Sequence, residues 1–310
     1  FFSTITAAAP FCIASSAFVA ASKFSPEKAK KIVAFEKEIA KLLLTDEEQD
    51  DITKYNNPMK ISEIAKKIKN IDIQKFLKDA GVNTDNVNVE ELKYYENLDK
   101  IINMSKVEVI KDYMKFHLIS GSAGILDEKT SNRSFEFYGK VLSGRKERDA
   151  IEKRALDFVS EELGEIVGKV YVEKNFSAEA KKNTEEMIKY IKIAFQNRIK
   201  NLTWMSEETK KAALEKLSKI NSKIGYPNVW RDFASLKLNP EDTLYGQIST
   251  IKKWYYSYDL KKVGKPVDKN EWGMDAHEVN AYYSPTENEI VFPAGILQRP
   301  FYSFESQPGV

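Results

Sequence analysis

Residues 279–297 fall into two β-branched and aromatic halves, Val279 to Tyr283 and Glu289 to Leu297, around the turn mixture Ser284-Pro285-Thr286-Glu287-Asn288. Such a pattern reads as a hairpin of two short strands. Pro293 followed by Gly295 says that the second strand stops early or lies at an edge, because proline cannot donate to a ladder. The residues before 279 carry the other period. Apolar side chains recur three and four apart, as in Ile32, Phe35, Ile39, Leu42 and Leu43, or Ile188, Ile191, Phe195 and Ile199. A chain of this kind is mainly α, with a hairpin opening a second structural unit near its end.

The helix signals are specific in places. Ser25 is a cap, Pro26 suits the first helical position and Glu27 favours the positive end, so a helix starts there and is expected to stop near Thr45. Ser206, Glu207 and Glu208 open another, which ends before Gly225 and Pro227. Ile151, Ala155, Phe158, Val159, Leu163 and Ile166 mark one long helix, whose Gly164 and Gly168 permit close approach by a neighbour. Gly121-Ser122-Ala123-Gly124 lacks the lysine and spacing of a phosphate loop and is expected to end a helix. Residues 1–22 are rich in Ala, Ser and Phe without a charge. They lack a basic leader and contain Pro10, so 1–24 reads as a truncated or misassembled helix more readily than as a targeting segment.

Charge narrows the partners. Lys and Arg total 48 against 46 Asp and Glu, a net +2 that supplies no long-range field for nucleic acid or an anionic membrane. A single cysteine, Cys12, excludes an internal disulfide framework, and no neighbour would lower its pKa for nucleophilic work. Gly-x-Ser-x-Gly does not occur. The two histidines, His117 and His277, stand 160 residues apart in sequence, too far for the paired ligands of a compact zinc motif; both read as structural.

Asn280-Ala281-Tyr282-Tyr283-Ser284-Pro285, followed by Ile290-Val291-Phe292-Pro293-Ala294-Gly295-Ile296-Leu297-Gln298, resembles the signature that opens the catalytic domain of neprilysin-type (M13) zinc metallopeptidases. Leu202-Thr203-Trp204-Met205 with Ile224-Gly225-Tyr226-Pro227 and Trp230-Arg231-Asp232-Phe233 is similar to the family's N-terminal region, as are Ala34 to Ala40 and Tyr55-Asn56. The single cysteine points to the bacterial oligoendopeptidase branch, cytoplasmic rather than exported.

The resemblance implies a helical lid domain over 25–265, then, from 270 to 310, the opening hairpin of a thermolysin-like zinc peptidase domain. It implies peptide substrates, cleavage on the amino side of hydrophobic residues, and one zinc ion in the complete enzyme. It implies that Asn280 and Ala281 hydrogen-bond the substrate backbone, that Tyr282 lies close to the same cleft, and that Ile296 and Phe301 line the pocket for the residue after the cut bond. On residue type alone, Ile296 and Phe301 read as core. Arg299 stands where relatives often have proline, and Glu287, Asn288 and Glu289 read as turn residues without chemistry. The family's His-Glu-x-x-His motif is not among these 310 residues, so the chain alone is expected to be inactive. The competing reading is a non-catalytic helical binding or scaffold module from a truncated gene.

Overall fold

The computed structural model describes residues 25–303 and Ser306; the apolar segment 1–24, with Cys12, lies outside them. The architecture is mainly α-helical with two small sheets. Contacts divide the chain into two compact units. The first takes in the described residues up to Asp149 together with Lys237–Pro266, and the second Ala150–Leu236 with the described residues from Val267 onward.

In the first unit the helix Pro26–Ala40 starts as its residues dictate, the Lys28 N–H donating to Ser25 Oγ at 3.3 Å. Ile32, Phe35 and Ile39 are buried along its inner stripe. It stops before Thr45, which instead opens the next helix, Asp46–Gln49. Thr45 Oγ1 accepts the Glu48 N–H while Glu48 accepts the Thr45 N–H, a reciprocal cap strong enough to restart the chain. Helix Val107–Gly121 ends at the Gly121-Ser122 turn, as the glycine pair indicated. Strands β1 (Pro58–Lys60) and β2 (Asn86–Asn88) pair antiparallel; neither has enough alternation to stand out from its sequence.

In the second unit the long helix expected from Ile151 onward is two, Ile151–Glu162 and Gly164–Asn175, broken at Leu163 with φ −135° and ψ 35°. Its sheet has three strands: β3 (Asn221–Gly225), β4 (Tyr282–Ser284) and β5 (Glu289–Pro293), in the order β3-β5-β4. The hairpin is therefore joined by a third strand, and β5 is central, with β3 parallel on one side and β4 antiparallel on the other. Pro293 does end β5 early, but β5 is no edge. The edge reading fails because β3, five residues ending in Gly225, sits directly after a helix and looks like its tail. Gly225 takes φ +76°, and a Cβ there would lie 2.6 Å from the Phe176 ring, so only glycine closes the strand against that aromatic.

Alternation along β5 buries Glu289, Val291 and Pro293. The core around the sheet gathers Val172, Phe176, Ile188, Ile224, Ala276, Ala294 and Leu297. On the other face of the sheet sits a buried ion pair between neighbouring strands. Lys223 Nζ lies 2.7 Å from Glu289 Oε2, with side-chain exposures of 6% and 2%. Asn221 Nδ2 and the Tyr282 hydroxyl, each at 3.2 Å, also donate to the Glu289 carboxylate, and Lys223 donates to the Glu271 carbonyl.

Removing one member strands a desolvated charge. Glu289→Leu is expected to destabilise the protein by about 3–5 kcal/mol, and the double replacement Lys223→Met/Glu289→Leu by far less. Urea unfolding of the three proteins checks this; equal losses for the single and double variants would contradict the pair's role.

Candidate functional site

The approach to β4 is a turn gripped from two sides. Within it the Glu278 N–H donates to the Asp275 carbonyl at 3.0 Å, and the Asp275 N–H donates to Glu278 Oε1 at 2.6 Å. On one side the Gly295 N–H donates to the Ala276 carbonyl at 2.9 Å, and a Cβ on Gly295 would lie 2.4 Å from the carbonyl oxygens of both His277 and Glu278. On the other, helix Gly164–Asn175 comes so close that a Cβ on Gly168 would meet Ala276 N at 3.1 Å and one on Gly164 would meet Asp275 Oδ2 at 1.9 Å. The two helix glycines thus do what their sequence positions suggested. Ala276 is 2% exposed.

From this clamp the chain emerges through the exposed Val279 and Asn280 into β4. Asn280 Oδ1 accepts the Ala281 N–H at 2.8 Å, which fixes the side chain beside the strand it precedes. Because β4 pairs with β5 on one side and is last in the sheet, its other edge is unpaired among the described residues. Tyr282 is half-buried. Its hydroxyl accepts the Gly273 N–H at 3.0 Å and donates to Glu289 Oε1, and burial above all pushes its pKa up. Ile296 is half-buried against the apolar core, whereas Phe301 is 67% exposed. Asn280 and Ala281 thus lead directly into Tyr282, the first residue of β4, while Ile296 and Phe301 occupy different surroundings, one against the core and one on the surface.

Two groups of residues escaped sequence reasoning. Glu289, read as a turn residue, is the most connected carboxylate of the sheet; its period-2 spacing with Val291 and Pro293 was the available signal. Asp275 and Glu278 form the turn itself. Burial, then the Glu278 carboxylate, raise the Asp275 pKa above the ordinary carboxylate range, with the nearby Glu165 adding to this and His277 and Arg231 opposing it.

The two histidines belong to different compact units. His117 Nε2 lies 2.9 Å from Oε1 of the buried Glu36 in the first unit, and His277 belongs to the second, its Nδ1 buried without a hydrogen-bond partner among the described residues. No group of three or more His, Cys, Asp or Glu among the described residues is placed to hold a metal ion. These residues therefore do not fit a zinc ligand set. Among the described residues no helix is long and apolar enough to cross a membrane.

The clamp makes Gly295→Ala an overpacking change against backbone, expected to cost about 1–3 kcal/mol. Gly124→Ala, where a Cβ meets nothing within 4 Å, is the control and should be neutral or better; urea unfolding separates them. For Asp275 the folded carboxyl binds its proton more tightly than the unfolded one, so its stabilising contribution is complete below the unfolded pKa of about 4 and is lost as pH rises through the higher folded value. Asp275→Asn should therefore gain stability relative to the parent as pH increases from 4 to 7, measured by urea unfolding at several pH values. A constant difference across that range would contradict the assignment.

Residues 10–227 match peptidase family M13, and so do residues 280–310. A neutral endopeptidase of Lactobacillus helveticus is 33% identical over 282 residues, covering 89% of this chain and 43% of the relative. Neprilysin-11 of Caenorhabditis elegans is 28% identical over 289 residues, covering 88% of this chain and 34% of the relative. Among solved structures, the Mycobacterium tuberculosis zinc metalloprotease Zmp1 in complex with an inhibitor superposes with a TM-score of 0.84 at 30% identity, over 98% of this chain and 47% of that one. PepO of Lactobacillus rhamnosis gives 0.84 at 25% identity, over 99% and 50%. The chain spans less than half the length of the curated relatives named here. From the hairpin signature through the helical region before it, the chain belongs to peptidase family M13.

Proposed function

We propose that this chain is the substrate-holding part of a zinc-dependent endopeptidase that cleaves peptides on the amino side of hydrophobic residues. The observation that carries the reading is the unpaired edge of β4, entered through an exposed asparagine whose position is fixed by a backbone clamp. An extended peptide adds to such an edge by backbone hydrogen bonding, and an amide side chain beside it offers donors and an acceptor to a peptide unit. In this reading Asn280 and Ala281 bind the substrate backbone and Tyr282 props the strand from behind through Gly273 and Glu289. Ile296 and Phe301 contribute to the pocket for the residue after the cut bond.

The family implies zinc; no ligand set for it lies among the described residues, and in this reading the complete enzyme supplies the ligands from residues outside them. The helical residues 25–265 act as a lid that limits substrate size, and 270–310 begin the catalytic domain; of the helical part, Ala150–Leu236 shares a compact unit with the hairpin. A single cysteine suits the reducing cytoplasm of a bacterium.

The test uses this chain continued by a zinc-binding half of the family. Asn280→Ala leaves substrate backbone groups unpaired in a partly desolvated cleft, a loss of roughly 1–3 kcal/mol and hence about a 5- to 150-fold fall in kcat/KM. Bound zinc and melting temperature should be unchanged. Full activity, or a loss only in proportion to lost folded protein, would overturn the assignment.

A further inference from the structure

The first unit carries a groove of about 750 Å³ between helices Pro26–Ala40, Leu92–Met104 and Val107–Gly121. Its floor rests on the buried Ile32, Phe35 and Ile101, and the half-buried Leu42 and Val109, with Met104 at 64% exposure, present apolar surface to it. The charges around it do not cancel. Each carboxylate lining the groove already has a lysine: Glu38 with Lys41, Glu108 with Lys111, and Asp112 with Lys28. Lys31 is paired with Glu27. Lys100 and Lys106 also line the groove, and neither has an ion-pair partner among the described residues.

An apolar floor with two uncompensated cations complements a ligand that has an apolar body and one anionic head. The groove's volume of about 750 Å³ falls within the range of small-molecule sites, about 300 to 1,000 Å³. We propose that this groove is a binding site for a free single-chain fatty carboxylate, its tail against Leu42, Val109 and Met104 and its head between Lys100 and Lys106.

Dodecanoate, kept below its micellar concentration, is titrated into the protein by calorimetry, with dodecanol, acetate and dodecyltrimethylammonium as probes of tail alone, head alone and reversed charge. Dodecanoate should bind at one site and bind more tightly than all three. Lys100→Glu/Lys106→Glu should weaken it by about tenfold or more, and Met104→Glu, a change at an exposed position, should weaken it with an unchanged melting curve. Equal affinity for dodecyltrimethylammonium, indifference to the lysine reversals in a folded protein, or binding only to vesicles containing dodecanoate would each overturn the proposal.

Discussion

The ion pair between Lys223 and Glu289 is the constraint on which the second unit rests. Two charges withdrawn from water carry a desolvation cost of several kcal/mol each, returned only if geometry is good and the remaining lone pairs are used. Here they are used. Glu289 takes Lys223, Asn221 and Tyr282, and Lys223 also reaches the Glu271 carbonyl, so β3, β4, β5 and the loop before the hairpin converge on one ion pair. A three-stranded sheet with strands of three to five residues has little ladder to fix its register. A one-residue slip of β5 would move Glu289 to the opposite face and leave Lys223 buried without its counter-charge, a far larger penalty than the hydrogen bonds a slip exchanges.

That register in turn aims the approach to β4. Once β5 is fixed, Gly295 lies two residues beyond its end, where its backbone can meet the 275–278 turn without a side chain between them. The helix glycines at 164 and 168 complete the clamp from the opposite side. Backbone-to-backbone contact is stiffer than contact through side chains, which change rotamer. The placement of Asn280 and the β4 edge is therefore set largely by main-chain atoms, the rigid support that the substrate-holding role proposed for Asn280 requires.

The sequence made some of this legible and hid the rest for identifiable reasons. The helices were readable because caps and apolar stripes are local: Ser25, Pro26 and the Ile32, Phe35, Ile39 row decide the first one together. That this helix ends before Thr45 was legible, whereas the restart there was overlooked, although Thr45 followed three residues later by Glu48 is a capping-box signature of a new helix. The hairpin was readable from alternation and turn chemistry, whereas β3 was not, since a parallel partner is chosen by tertiary contact from 66 residues away, the separation of Lys223 and Glu289. Asn280 was named from resemblance, and its exposure could not be read from residue type. Glu289 was dismissed for standing beside a turn, although in a strand whose inward face reads Glu, Val, Pro a lone acid signals a buried partner elsewhere.

An open strand edge is a hazard as well as an opportunity, because any extended chain, including another copy, can add to it. The hazard is contained here by length. β4 is three residues long, is followed at once by Pro285, and is preceded by the clamped turn. Outward backbone groups on a strand recur at every second residue, so an edge this short presents one or two residues of hydrogen-bonding capacity. That is too little to nucleate a stable intermolecular sheet, yet enough to orient one peptide unit. An edge so brief can read the backbone of an added strand and leaves its side chains unread except where a pocket adjoins it.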